Sequence, residues 1–379
     1  MATALAALFL LAFSVYFASR PDYDWDTLAY SAIALRESGT PVTRIHDEAY
    51  KALGDVMPPD QFKAVIGHGN VDPEFRHTVA SDSNSFLAQL PFYDVKPVYP
   101  ALMAALHDAG LGLLNSGLAI SAAAYFGIGI LLYVWFCRWM SPFVAFGTMA
   151  LFVLNPFLVL LARNIGPDIL SLFTLLLGVY LAIERDRPVA SALVFVASIA
   201  VRPENLIFAG VFLLYLGWIG RLSPSRILLS LAAAGVLYIG LAKLSGNYGW
   251  KTLFAYSLVK RSASVSNTSS QLTLLDYLKI YAGRLDRVFM GRGELPMFLL
   301  VGFGALCLKA RLGLIRDRYA HLVVIAAVLA VARMTILPAE AWRALLLSYM
   351  LVTIAFIHAC VQLQARATAK LTYAKSPMP

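Results

Sequence analysis

Three aspartates stand at alternate positions directly after the first apolar segment of the chain: Asp22, Asp24 and Asp26. Carboxylates repel one another, and an apolar environment disfavours their charged form. A cluster of them at the edge of a membrane domain therefore suggests proton transfer or cation binding. The alternative is a capping role, because aspartate is a favoured residue at the N-terminus of a helix.

The composition places this cluster in a membrane protein. Of the 379 residues, 59% are hydrophobic and 14% are charged, and mean hydropathy is +0.70, whereas soluble domains carry about 25% charged residues. We expect one integral membrane domain over residues 1–379. The net charge of +9 is expected to follow membrane topology, so no nucleic-acid partner is predicted. The three cysteines form neither a disulfide framework nor a metal-binding spacing.

Ten apolar segments are long enough, or nearly so, to cross a membrane, which predicts an all-α polytopic fold. The first lacks the basic start of a signal peptide, so we expect it to be retained as a span. Two polar stretches, 20–116 and 245–294, interrupt the series. The ten segments are 2–19, 117–137, 142–161, 168–183, 188–201, 205–220, 226–244, 295–309, 319–337 and 343–363.

The distribution of Lys and Arg among the short loops predicts the orientation, because these residues are retained on the cytoplasmic side. One set of loops and the tail is rich in them, and we expect it to be cytoplasmic. Both termini then lie inside, and both long polar stretches lie on the external side, the periplasm of a bacterial inner membrane. The basic residues of this set are Arg138, Arg185, Arg187, Arg221, Arg226, Lys309, Arg311, Arg316, Arg318, Arg366, Lys370 and Lys375.

The short loops of the opposite face each combine a cation with a carboxylate. In any single loop, an ion pair at the helix ends is the simpler interpretation. Their repetition on the face that carries the aspartate cluster indicates a site there. The three pairs are Arg163 with Asp168, Arg202 with Glu204, and Arg343 with Glu340.

The first polar stretch is expected to carry short amphipathic helices on the external membrane surface. Apolar residues from Trp25 to Glu37 recur at helical spacing, and a Gly and a Pro follow. On this helix Asp26 and Tyr30 are four residues apart and share a face. Further helices are predicted around 47–54, 59–66 and 101–109.

These residue types together suit a group transfer from a lipid phosphate. Asp24 or Asp26 would accept a proton from the acceptor hydroxyl. Cations would stabilise the phosphate as its charge grows, and an apolar groove between the spans would hold the lipid tail. The candidate phosphate ligands are Lys96, Arg163, Arg202 and Arg343.

A metal site is the alternative use of the aspartates. The Asp-x-Asp-x-Asp pattern resembles the start of an EF-hand loop, but Thr27 stands where that loop needs Gly and Ile33 where it needs Glu. A carboxylate site for Mg²⁺ or Mn²⁺ stays open. His46, His68 and His77 lack helical ligand spacing and are interpreted as surface histidines.

The ordered motifs resemble those of the GT-C superfamily of integral-membrane glycosyltransferases, which use polyprenyl-phosphate sugars. Asp26 followed by Tyr30 matches the spacing of the acidic motif in its first external loop, and Asp24 supplies the additional acid of some members. The segment from Lys96 through Tyr99 to Pro100 looks like the family's Pro-Pro-x-Tyr-Pro element. Three later segments are similar to family loops: Asn155-Pro156, Gly166-Pro167-Asp168 and Val201-Arg202-Pro203-Glu204.

The resemblance covers residues 1–220; from 245 onward it rests on the order of spans alone. It implies transfer of a sugar from a polyprenyl monophosphate to a lipid or glycan acceptor, outside the cytoplasm and with inversion. Tyr30, Tyr99, Asp168 and Glu204 would support the site. The family's usual Asp-Glu pair is Asp26-Thr27 here, which leaves the base open between Asp24 and Asp26.

Two other functions stay open. A lipid or solute transporter is one, although few ionisable residues lie within the predicted spans and no paired broken helices are evident. A glycan polymerase or ligase with a diphosphate-linked donor is the other. It is suggested by basic residues in the second polar stretch, namely Lys260, Arg261, Arg284, Arg287 and Arg292.

Overall fold

A computed structural model describes residues 1–69, 71–259, 261–265, 273–290, 294–337 and 341–374 of the chain. Within these ranges all regular secondary structure is helical, which confirms the predicted all-α class. Glu340, Lys260, Arg292 and the side chain of Arg287, which enter the sequence-based predictions, lie outside the described residues.

Each of the ten predicted apolar segments is helical. Four helical stretches are long and apolar enough to cross a membrane: Leu113–Phe136, Pro224–Leu244, Arg318–Ile336 and Leu345–Ala369. These four stretches indicate that the protein is integrated in a membrane. The other segments are shorter, bent or less apolar, so the count of ten membrane spans stays a prediction. The helices are α1 (Ala2–Ala18), α9 (Leu113–Phe136), α10 (Pro142–Val153), α11 (Pro156–Arg163), α12 (Asp168–Ile183), α13 (Pro188–Val201), α14 (Asn205–Trp218), α15 (Pro224–Leu244), α18 (Glu294–Arg311), α19 (Arg318–Ile336) and α20 (Ala341–Ala374).

The predicted span 142–161 is not one straight helix. It bends by 67° between α10 and α11. Pro156 cannot donate the backbone hydrogen bond that would continue the helix, and the Asn155 side chain accepts a hydrogen bond from the Phe157 amide at 2.9 Å instead. Asn155 therefore ends one helix and caps the next.

The first polar stretch folds into a compact layer of short helices. The predicted helix at 25–37 is α2, with the same bounds, and its neighbours begin or end a few residues from the prediction. The helices are α2 (Trp25–Glu37), α3 (Val42–Gly54), α4 (Pro59–Lys63), α5 (Pro73–Ser81), α6 (Ser83–Leu87), α7 (Pro91–Asp94) and α8 (Val98–Leu106). The second polar stretch contributes α16 (Trp250–Leu258) and α17 (Leu274–Met290).

The prediction that α2 is an amphipathic surface helix is wrong. Apart from Asp26, every residue from Trp25 to Leu35 is buried. Ala29, Ala32 and Ala34 are small enough for α3 and α8 to pack closely around the helix. Burial on all sides fixes the orientation of Asp26 more tightly than a membrane surface would.

His46 is also buried rather than on the surface. Its side chain contacts Asp47 at 2.7 Å and the Val79 carbonyl at 3.2 Å. The ring belongs to the core of the helical layer, where it packs against Tyr50.

The long helix α9 joins this layer to the membrane bundle. It packs against α1, α10, α11 and α12 in the bundle and against α8 in the layer. Gly129 lets α1 approach closely, because a Cβ there would lie 2.2 Å from Leu10. Gly117 does the same for the α11–α12 loop through Ile165, at 2.7 Å. The helix thus fixes the layer relative to the loops of the bundle.

Candidate active site

A cavity of about 220 Å³ lies between the helical layer and one end of the bundle. Its charged side chains come mainly from helix ends or from loops, where chain that leaves the apolar interior can carry charge. The ionisable and phenolic residues that line it are Asp26, Tyr30, Tyr93, Lys96, Asp168, Arg202, Glu204, Tyr256, Arg261, Arg333 and Arg343.

The two candidate bases occupy different positions. Asp24 is the N-cap of α2 and accepts a hydrogen bond from the Thr27 amide at 3.2 Å, as the alternative capping interpretation predicts. Asp26 lines the cavity and accepts a hydrogen bond from the Tyr93 hydroxyl at 3.1 Å. The geometry therefore favours Asp26 as the group that meets a substrate.

The Asp24 carboxyl group has a perturbed pKa. Burial is the largest cause, and repulsion from Asp26 is the second. Together they raise the pKa of Asp24 to about 7, against the opposing effects of Arg343 and Thr27. A protonated Asp24 next to Asp26 reduces the repulsion within the acidic motif.

Arg343, in the first turn of α20, contacts three carboxylates that are distant in sequence. Its guanidinium lies 3.7 Å from Asp24, 3.6 Å from Asp26 and 3.5 Å from Asp168. The expected partner Glu340 lies outside the described residues. Arg343 thus connects the acidic motif to the N-terminus of α12.

The predicted pairing of Arg163 with Asp168 is replaced by a contact across helices. Asp168 forms an ion pair with Arg202, which also lies 3.5 Å from Glu204. Burial alone would raise the pKa of Glu204, but Arg202, Lys96 and Arg333 hold it well below its usual range. Glu204 is therefore a carboxylate that offsets part of the positive charge of the cavity.

Lys96 stands between α7 and α8 and reaches the cavity from the helical layer. Its ammonium group donates a hydrogen bond to the Tyr30 hydroxyl at 3.0 Å and lies 5.4 Å from the centre of the Tyr93 ring. Burial lowers the pKa of Lys96. A bound anion would favour the charged form and would be attracted by it.

Besides Asp24, two predicted site residues, Arg163 and Tyr99, do not line the cavity. Arg163 donates a hydrogen bond to the Arg20 carbonyl at 2.6 Å, and its own carbonyl accepts one from Asp22 at 3.0 Å. These bonds hold the segment that carries the acidic motif against the end of α11. Tyr99 is fully buried and donates a hydrogen bond to the Gly117 carbonyl at 3.0 Å, so it positions α8 against α9.

Four ionisable or phenolic side chains line the cavity although no sequence motif placed them there: Tyr93, Tyr256, Arg261 and Arg333. Tyr93 lies three residues before Lys96, a spacing that is a weak signal of a shared face. Tyr256 and Arg261 come from the second polar stretch, and Arg333 comes from the last turn of α19. Only packing across the fold brings them to Asp26.

The cavity has an excess of positive charge. Among the described residues that line it, five cationic side chains face three carboxylates, an excess of two charges. No group of three or more His, Cys, Asp or Glu side chains in the described ranges could hold a metal ion. The Mg²⁺ or Mn²⁺ site stays a prediction, and the Arg343 guanidinium is a cation that lies within 3.7 Å of both Asp24 and Asp26.

The Asp24 pKa predicts how stability varies with pH. A carboxyl group whose pKa is raised by folding stabilises the fold below its unfolded pKa and loses that contribution as pH rises to its folded pKa. For Asp24 this loss occurs in the pH window from about 4 to about 7. We expect the melting temperature of Asp24→Asn, relative to that of the wild-type protein, to rise across this window by at least about 2 °C, the shift that about 1 kcal/mol produces in a large domain. Asparagine keeps the N-cap hydrogen bond.

Asp82 provides the control, because it is also an N-cap but hydrogen bonds from Ser85 lower its pKa. Its asparagine variant is expected to show no such gain. Thermal unfolding in detergent at pH 5, 6, 7 and 8 measures both variants. A melting-temperature difference for Asp24→Asn that is the same at every pH would contradict the raised pKa.

The chain was compared with protein-family models, curated proteins and solved structures, and none of them matches it.

Proposed function

We propose that this protein is a GT-C-like glycosyltransferase that moves a sugar from a polyprenyl monophosphate to an acceptor hydroxyl. The observation that carries the proposal is one cavity in which, among the described residues, the Asp26 carboxylate lies with five cationic side chains beside apolar helix surfaces. The reaction would take place on the external, periplasmic side of a bacterial inner membrane, with both termini in the cytoplasm.

The charge of the cavity supports this donor class. A sugar linked to a polyprenyl monophosphate carries one negative charge as a phosphodiester. When the bond between the sugar and the phosphate oxygen breaks, the leaving phosphate monoester carries two. The excess of two positive charges in the cavity complements the leaving group better than the intact donor. Such a difference between ground state and transition state accelerates a reaction.

Asp26 would act as the general base. It would accept the proton of the acceptor hydroxyl as the acceptor oxygen forms a bond to the anomeric carbon. The bond to the phosphate oxygen breaks in the same step, and attack from the opposite face gives inversion. Tyr93 donates a hydrogen bond to one carboxylate oxygen of Asp26, which leaves the carboxylate able to accept a proton.

The phosphate would be bound by Lys96, Arg202 and Arg343. Lys96 offers a point charge with three donors, and the two arginines offer planar groups that remain charged at any physiological pH. Arg163 lies elsewhere, and we do not propose it as a ligand.

Apolar surface next to these cations would hold the lipid. Leu172 and Leu175 of α12, Phe208 of α14 and Leu346 of α20 line the cavity. Leu346 also lines a second cavity of about 260 Å³ between the α10–α11 bend and α20. The polyprenyl chain would leave the first cavity along this apolar surface.

Arg261 favours a second candidate, a polymerase or ligase that uses a diphosphate-linked donor. It lies in the same cavity and contributes one of its five cations. A diphosphate leaving group would carry one more negative charge than a monophosphate and would require additional cations.

The test is the lipid-linked species that accumulates in cells lacking the protein. We expect a sugar on a polyprenyl monophosphate to accumulate and to be consumed when the wild-type gene is restored, but not when Asp26→Asn is restored. Accumulation of a diphosphate-linked oligosaccharide would favour the second candidate. If no lipid-linked sugar accumulates, and purified protein in vesicles moves lipid without forming a glycosidic bond, the protein is a transporter and the proposal is wrong.

A further inference from the structure

Tyr256 stands out among the cavity residues because its hydroxyl is buried without a partner. The residue is 6% exposed, and within the described part of the chain its hydroxyl makes no hydrogen bond. Buried hydroxyls usually have a partner, since an unpaired one costs about 1–3 kcal/mol. A group that lines a cavity can obtain that partner from a bound molecule.

The position of Tyr256 is well defined. Leu253, Tyr256 and Ser257 are three and four residues apart on α16 and all line the cavity, so they form one face of the helix. The Tyr256 ring stacks on Phe92 with 4.6 Å between ring centres, and its edge packs against Phe75. These contacts hold the ring whether or not the hydroxyl has a partner.

Tyr256 packs on Phe92, the neighbour of Tyr93, whose hydroxyl donates a hydrogen bond to Asp26. Burial is the largest cause of a raised pKa of Tyr256; Arg261, 6.0 Å from the ring, opposes it, and Asp26 adds to it. The group is therefore a neutral phenol that can both donate and accept a hydrogen bond. A sugar hydroxyl also donates and accepts, so it can use both capacities of the phenol, whereas a phosphate only accepts.

We propose that the Tyr256 hydroxyl hydrogen-bonds a hydroxyl group of a sugar bound next to Asp26 and so helps to determine which sugar the protein accepts. The inference rests on the proposed function. The sugar can belong to the donor lipid or to a glycan acceptor, and the two sources share this chemistry.

Tyr256→Phe removes the hydroxyl and keeps the ring. Tyr50→Phe is a matched control, since the Tyr50 hydroxyl is also buried without a partner in the described residues but lies away from the cavity. We expect neither variant to lower the melting temperature, because each removes an unsatisfied polar group.

Binding is measured with the full-length protein in lipid nanodiscs. The lipid probes are polyprenol, bare polyprenyl phosphate, and polyprenyl phosphate that carries glucose, mannose or N-acetylglucosamine. We expect wild type to bind one sugar-bearing lipid best. In Tyr256→Phe that affinity should fall by roughly 2–12-fold, the value of one net hydrogen bond. Affinity for bare polyprenyl phosphate should not change, and Tyr50→Phe should match wild type throughout.

A second measurement separates the two sources of the sugar. Methyl glycosides of the same sugars are added to protein that is saturated with bare polyprenyl phosphate. A loss in Tyr256→Phe with the sugar-bearing lipids assigns the contact to the donor, and a loss with the glycosides alone assigns it to the acceptor.

If Tyr256→Phe binds every sugar-bearing lipid and every glycoside as wild type does, the subsite is wrong while the donor class stands. If wild type binds bare polyprenyl phosphate no better than polyprenol, the proposed donor class is wrong. The glycoside measurement then still decides the role of Tyr256.

Discussion

Asp26→Asn is expected to slow the proposed sugar transfer by about 10²–10⁴-fold, the usual cost of removing a general base. Asparagine has nearly the size of aspartate, and its carbonyl oxygen can still accept the hydrogen bond from Tyr93. It cannot take the acceptor proton. We therefore expect normal folding and donor binding, with the loss in kcat. Turnover of a purified donor lipid by the reconstituted variant measures it.

The matched control is Asp24→Asn, two residues away in the same motif. Asp24 caps α2 and does not line the cavity, and asparagine is an equally good N-cap. We expect a loss smaller than about tenfold, below the range for a general base. A large loss in Asp24→Asn with near-normal turnover in Asp26→Asn would reverse the assignment. Near-normal turnover in both would exclude this motif as the source of the base.

Arg343→Ala is expected to lower both donor affinity and stability. A charge-assisted hydrogen bond contributes about 1.5–3 kcal/mol, so loss of a phosphate ligand should weaken donor binding by roughly 10–100-fold. The same change leaves Asp24, Asp26 and Asp168 without this cation. Breaking a fully buried ion pair costs about 3–5 kcal/mol, and we expect less here because the Arg343 side chain is 19% exposed. Donor affinity, turnover and melting temperature are measured together.

Arg163→Ala is the control for this prediction, because Arg163 was also a candidate phosphate ligand in the sequence but bonds to the Arg20 carbonyl outside the cavity. We expect its donor affinity to match wild type. If Arg343→Ala lowers the melting temperature and leaves donor affinity and turnover intact, Arg343 is a structural partner of the carboxylates and not a phosphate ligand.

Local patterns in the sequence predicted the apolar helices and α2, but not the short helices α5, α6 and α7 or the helices α16 and α17 of the second polar stretch. The bounds of α2 follow from Asp24 as a cap before Trp25 and from Gly39 and Pro41 after its end. Each of the ten apolar segments is helical because a continuous run of apolar residues gives the backbone no other way to satisfy its hydrogen bonds in an apolar environment. At Pro156, where a proline interrupts the backbone hydrogen bonds of an apolar segment, the helix is bent.

Local sequence patterns did not predict which side chains meet in the cavity. The sequence left the base open between Asp24 and Asp26, and the packing of α2 places Asp26 in the cavity and Asp24 at the cap. Arg163 was expected to pair within its own loop with Asp168, but Asp168 pairs with Arg202 and Arg343 across helices.

The sequence by itself determined that the protein is an all-α membrane protein with an acidic motif after its first helix, because composition, helical periodicity and capping act over a few neighbouring residues. The tertiary structure alone decided that Asp26, Arg343 and Tyr256 share a cavity. Their distances depend on how helices that are hundreds of residues apart in the chain pack together. Coulomb energies and burial change steeply over the few ångströms that this packing sets.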